Sequence, residues 1–149
     1  MSHTYTRLLY HIVFSTKQRH PWITEDVRND LHAYLGGIVR NIEGTAISVG
    51  GVADHVHILA SIPAKISISD VVRTIKANSS KWMHEVKTLR AFQWQEGYSA
   101  FTVSESNREA VIRYIENQED HHRRGSYQDE LIALLRKHGV EFDEATLWA

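Results

Sequence analysis

Hydrophobic and polar positions change period in an orderly way along the chain. From Tyr5 to Thr16 they alternate, with Leu8, Tyr10, Ile12 and Phe14 on one side and Arg7, Leu9, His11, Val13 and Ser15 on the other, which predicts a strand. Val27, Leu31, Leu35, Ile38 and Ile42 then recur at helical spacing behind Thr24, a candidate N-cap, and Gly44 follows the last of them. Two short strands are predicted next, over about 45–50 and 52–62, divided by a turn or bulge at Gly50-Gly51. Ser67 and Asp70 have capping-box spacing, and Ile68, Val71, Val72, Ile75, Trp82, Met83 and Val86 form the apolar stripe of the helix behind them. A fourth strand is predicted from Tyr98 to Ser104. It leads into a helix opened by Ser106 and Glu109, again at capping-box spacing, and a last helix over about 127–138 ends at Gly139.

This order, β-α-β-β-α-β followed by further helices, predicts an α+β fold of ferredoxin-like plan: a mostly antiparallel sheet, two helices on one face, and additional C-terminal helices. The first and third strands are neighbours in such a sheet, so the open face is expected to carry His11 and Arg7 beside His55 and His57. Hydrophilic open faces of this topology bind single strands in RNA-recognition modules. The 149 residues contain no repeat or linker, which predicts one domain over 1–149. There is no cysteine and no apolar run near the roughly 20 residues that span a bilayer. The start, Met1 to Arg7, lacks a signal peptide's apolar stretch, so a cytoplasmic protein with no membrane partner is expected.

Candidate chemistry begins at His55-Val56-His57. Period-two alternation puts Val52, Val56, Ile58, Ala60 and Ile62 on one strand face and both imidazoles on the other, a two-histidine clamp that suits a metal ion. Tyr114 and Gln118 stand one helical turn apart and share a face, while Ile112 and Ile115 mark the buried stripe of that helix. His11 is assigned a supporting or phosphate-contacting role, and His121 and His122 the helix surface, with contact to the metal or substrate as the lesser alternative. The formal net charge of −1 conceals an asymmetry: residues 65–90 carry six basic against two acidic groups, and residues 105–149 six against ten. Arg73, Lys76, Lys81 and Arg90 are therefore candidates for contacts to a phosphate backbone.

Three segments carry a family resemblance: Tyr10-His11-Ile12-Val13-Phe14-Ser15-Thr16-Lys17, Gly51-Val52-Ala53-Asp54-His55-Val56-His57, and the Tyr114 to Gln118 helix after Trp94-Gln95-Glu96-Gly97-Tyr98. On these the chain resembles, over nearly its whole length, the single-tyrosine HUH transposases of bacterial insertion sequences and their REP-associated relatives. The resemblance implies a transposase that cleaves and rejoins single-stranded DNA, with Tyr114 as the nucleophile that forms a 5′-phosphotyrosine. It further implies that His55, His57 and Gln118 hold Mg²⁺ or Mn²⁺, although Zn²⁺ is also compatible with the ligand types. Single-stranded or hairpin DNA is the implied partner, and the implied assembly is a homodimer with shared active sites. A domesticated REP-associated transposase, a non-catalytic single-strand-binding module of the same fold and a water-using phosphoesterase stay open. The binding module gives no reason for Tyr114 and Gln118 to share a turn, and the phosphoesterase none for the tyrosine.

Overall fold

Four strands, β1 (Leu9–Ser15), β2 (Thr45–Val52), β3 (His55–Ser61) and β4 (Ser99–Val103), pair antiparallel in the order β2-β3-β1-β4. Among the described residues there are also five α-helices, α1 (Glu25–Asn41) and α2 (Ile68–Glu85) between strands, and α3 (Arg108–Glu116), α4 (Gln118–His122) and α5 (Tyr127–Lys137) after β4. The computed structural model describes residues 3–149, so Met1 and Ser2 of the polar start lie outside them. This is the α+β, ferredoxin-like arrangement that the sequence predicts.

Ile12 and Phe14 of β1 and Val56, Ile58 and Ala60 of β3 pack on one face of the sheet against Leu31, Leu35 and Val39 of α1 and Val71, Val72, Ile75 and Met83 of α2. Burial of each such side chain contributes roughly 1.5–3 kcal/mol, so this layer is the main core. Ser67 caps α2 as expected, its Oγ accepting from Asp70 N at 3.1 Å. The other face is not open. Leu9, Val13, Leu59 and Phe101 are covered there by Ile115 of α3 and by Tyr127, Leu131 and Leu135 of α5. His11, His55 and His57 thus lie between two layers and are buried, while Arg7 lies before β1 and is exposed.

Several boundaries differ from the expectation. The turn between β2 and β3 is Ala53-Asp54, not Gly50-Gly51, because both glycines are needed inside β2. A Cβ on Gly50 would sit 2.5 Å from the backbone oxygen of Ile115 in α3, and Gly51 has φ +144°, with His55 O 2.3 Å from where its Cβ would be. Ser106 does not cap α3; it lies in a 3₁₀ turn, Glu105–Asn107, and the helix starts at Arg108. A break at Asn117 divides the expected tyrosine helix into α3 and α4.

α2 lies on the side of the sheet away from the histidines, and this moves its basic residues off the site. Arg73 and Lys81 are exposed there, with Arg73 paired to Asp70, and Arg90 is exposed in the turn that follows α2. Lys76 is engaged: its ammonium donates to the backbone carbonyls of Gln95, Glu96 and Gly97 at 2.5–3.1 Å, and burial lowers its pKa to about 8. Its role is to pin the segment leading into β4.

Two stability measurements check this packing. Lys76→Met should lower the unfolding free energy by about 1–3 kcal/mol in urea titrations at pH 7, since three carbonyls lose their donor, while Lys81→Met should stay within about 0.5 kcal/mol. Equal effects would contradict the pinning role. Gly50→Ala should cost about 1–3 kcal/mol through overpacking against Ile115. An unchanged urea midpoint would show that α3 does not rest on β2 this closely.

Candidate metal and nucleophile site

The two-residue turn Ala53-Asp54 is tied down by Thr16 N donating to Asp54 O at 2.9 Å and Ile23 N donating to Ala53 O at 3.0 Å. Asp54 is thereby held beside His55, whose Nδ1 donates to Asp54 Oδ1 at 2.6 Å. His57 pairs in register with Val13, and His11, two residues earlier on β1, reaches it diagonally: His11 Nε2 lies 2.8 Å from His57 Nδ1. Each histidine of the pair therefore has its Nδ1 occupied and its Nε2 turned into the interlayer space. Partners of this kind fix ring orientation in metal sites.

The group those Nε2 atoms meet is Glu130 of α5. Its Oε1 lies 3.1 Å from His55 Nε2, 3.1 Å from His57 Nε2 and 3.0 Å from His122 Nε2. Its Oε2 accepts from Gln118 Nε2 at 2.9 Å and from the Tyr114 hydroxyl. Gln118 Oε1 is 3.0 Å from His55 Nε2. The Tyr114 ring lies 5.7 Å from that of His57 and 6.1 Å from that of His11, all within one chain. His55, His57, Tyr114 and Gln118 thus converge, as the resemblance implies. His11 is buried and orients His57.

Glu130 was not singled out from the sequence, and for His122 contact with the site was only the lesser alternative to the helix surface. A signal was present. Tyr127, Glu130, Leu131 and Leu135 are the buried positions of α5, so a glutamate occupies an apolar-stripe position, where a carboxylate needs partners. His55, His122 and Glu130 offer ligand atoms all within 4.8 Å of one another.

Burial sets the electrostatics. It disfavours a charged His55, but the carboxylates of Asp54 and Glu130 outweigh it and raise the pKa to about 9. His57 is driven below the ordinary histidine value by burial, and His11 by burial and the adjacent His57, to about 3. Burial alone would raise Glu130, yet hydrogen bonds from His122, His55 and His57 hold it far below the usual carboxylate range. Burial and the Glu130 charge push the Tyr114 phenol well above its ordinary value. An anion in contact with a phenol opposes phenolate formation, so activating Tyr114 requires positive charge at this point.

A cleft of about 460 Å³ reaches the cluster from outside, between the β4 edge, α3 and α5, with His11, Asn107, Val111, Tyr114, Leu134 and His138 among its walls. A second, of about 540 Å³, lies beyond Asp54 and His122 and carries Arg19, Arg28 and Arg123. Among the described residues, no helix is long and apolar enough to cross a membrane.

Comparison with known proteins bears on the family. The family model "Transposase IS200 like" matches residues 4–118, a stretch that contains the histidine pair, Tyr114 and Gln118 and ends before Glu130. The ISDra2 transposase TnpA of Deinococcus radiodurans is 30% identical over 120 residues, covering 76% of this chain and 86% of that protein. The transposase for insertion sequence element IS200 of Salmonella typhimurium is 28% identical over 124 residues, covering 79% and 81%. Among solved structures, a Deinococcus radiodurans R1 chain described as a transposase superposes with a TM-score of 0.63 at 27% identity, covering 79% of this chain and 96% of that one. A REP-associated tyrosine transposase bound to a REP hairpin shares the fold, with a TM-score of 0.61 at 14% identity over 82% and 73% of the two chains. With its matched residues running through the site, the chain belongs to the IS200-like transposase family.

Proposed function

We propose that this transposase cleaves and rejoins single-stranded DNA through Tyr114, with a divalent cation, Mg²⁺ or Mn²⁺, held by His55, His57 and Gln118. The observation that carries the reading is the convergence of His55 Nε2, Gln118 Oε1 and the Tyr114 hydroxyl on one buried point, beside His57 Nε2. Two oriented imidazoles and an amide oxygen are suitable donors for such an ion. When bound, the cation supplies positive charge that neutralises the scissile phosphate and favours the phenolate.

Tyr114 Oη attacks phosphorus, the P–O3′ bond breaks, the phenol gives up its proton, and the departing 3′ oxygen gains one. The product is a 5′-phosphotyrosine and a free 3′-hydroxyl. Because the new bond is again a phosphodiester, attack by another 3′-hydroxyl rejoins the strand without ATP. The chain's own residues hold this arrangement: Asp54 and His11 orient the imidazoles, and α3 carries Tyr114 to the mouth of the cleft. Single-stranded or hairpin DNA enters through the two clefts that reach the cluster, not along α2, whose basic face lies across the sheet. The shared-site homodimer implied by the resemblance is not needed to bring tyrosine and histidines together, so the reading places Tyr114 in cis.

Incubation with hairpin DNA and Mn²⁺ followed by denaturing electrophoresis checks the reading. Wild-type protein should form a covalent adduct that maps to the peptide containing Tyr114. Tyr114→Phe should lose the adduct and keep hairpin binding, since only the hydroxyl is removed, and His57→Ala should lose Mn²⁺-dependent cleavage. Cleavage without an adduct would favour the water-using phosphoesterase, and binding without cleavage the non-catalytic module.

A further inference from the structure

We infer that Glu130, assisted by His122, is itself a ligand of the cation, so that the site is anionic and draws on α5 and α4 as well as the histidine pair. The inference rests on the metal reading above and extends its ligand set beyond neutral donors.

His55 Nδ1 faces the Asp54 carboxylate at 2.6 Å and His122 Nδ1 faces the carbonyl of Gly125 at 3.0 Å, and both partners can only accept. Each Nδ1 must therefore carry the ring hydrogen. Nε2 is then the ring atom left to face the cluster, and in both residues it is aimed at Glu130 Oε1, at 3.1 and 3.0 Å. The Gln118 amide nitrogen donates to Glu130 Oε2, which turns its carbonyl oxygen toward the same His55 Nε2 at 3.0 Å. Two imidazole Nε2 atoms, a carboxylate oxygen and an amide oxygen thus meet inside the protein, and the ligand atoms of His55, His122 and Glu130 all lie within 4.8 Å of one another. Ring protons satisfy the carboxylate in this arrangement, and a divalent cation that replaced them would meet the same atoms.

The spacing suits a cation. Ligands at about 2.1 Å in an octahedral Mg²⁺ site stand about 3.0 Å from their neighbours, close to the 3.0–3.1 Å separations found here. A carboxylate adds a hard oxygen and one negative charge to a set of neutral donors, which strengthens Mg²⁺ or Mn²⁺ binding. It also ties α5 to β3 through the ion, so binding stabilises the layer that covers the site.

Calorimetric titration of the full chain with MnCl₂, paired with thermal melts in Mn²⁺ and in chelator, tests this. Glu130→Gln keeps the side chain's shape and should weaken Mn²⁺ binding at least about tenfold and remove most of the Mn²⁺-induced rise in Tm. His122→Ala should shift both in the same direction, and Glu130→Asp should fall between wild type and Glu130→Gln. Unchanged or tighter Mn²⁺ binding by Glu130→Gln would make Glu130 a counterion to protonated histidines that the cation must displace, and would overturn the inference. If Glu130→Gln does not melt cooperatively in chelator, Glu130→Asp and His122→Ala decide by the same criterion. His57→Ala separates the two levels: loss of Mn²⁺ binding keeps the His55/His57 reading whatever Glu130 does, and wild-type binding by His57→Ala sinks both.

Discussion

One carboxylate oxygen 3.0–3.1 Å from three imidazole nitrogens is the constraint on which the C-terminal third of the chain depends. A buried carboxylate is tolerated only when it is paired and hydrogen-bonded, and Glu130 reaches its partners only if α5 lies across the face of β1 and β3. That placement brings Tyr127 against the His55 ring at 4.5 Å and sets Leu131 and Leu135 on Val13 and Phe101. It also receives the Tyr114 hydroxyl and the Gln118 amide across the break at Asn117. Apolar packing and polar pairing therefore specify the same position for α5, which is how a costly buried charge cluster becomes compatible with a stable layer.

The features legible in the sequence were those that depend on local period. Alternation in β1 and β3 placed His11, His55 and His57 on one face, and helical spacing put Tyr114 and Gln118 together. What was not legible depends on which surfaces meet. The apolar stripe of α5 required a covering partner, and the simple plan of two helices on one face gave it none, so the second face was expected to be open. Glu130 was passed over because a glutamate in an amphipathic helix usually marks the solvent side, whereas here it shares the buried stripe with Tyr127 and Leu131. Gly50-Gly51 suggested a turn because glycine favours turns, yet their freedom serves a close helix–strand approach and a positive φ. Spacing showed which face of α2 is basic without showing on which side of the sheet that face ends up.

Burial has two consequences for the chemistry. It strengthens every interaction in the cluster by excluding water, and it leaves access to the clefts beside Tyr114 and His122. With Glu130 facing it, the Tyr114 phenol is held in its protonated form, so the cluster on its own would restrain Tyr114 in the nucleophilic role we propose for it. Restraint and activation then turn on the same point in space, and the sign of the charge there decides between them.

The central claim is that this point takes a divalent cation. Anomalous scattering at the manganese edge from crystals soaked in saturating Mn²⁺ tests it most directly. The account predicts a peak within bonding distance, about 2.0–2.3 Å, of both His55 Nε2 and His57 Nε2. A clear manganese peak elsewhere on the molecule, with both Nε2 atoms still against Glu130, would contradict it.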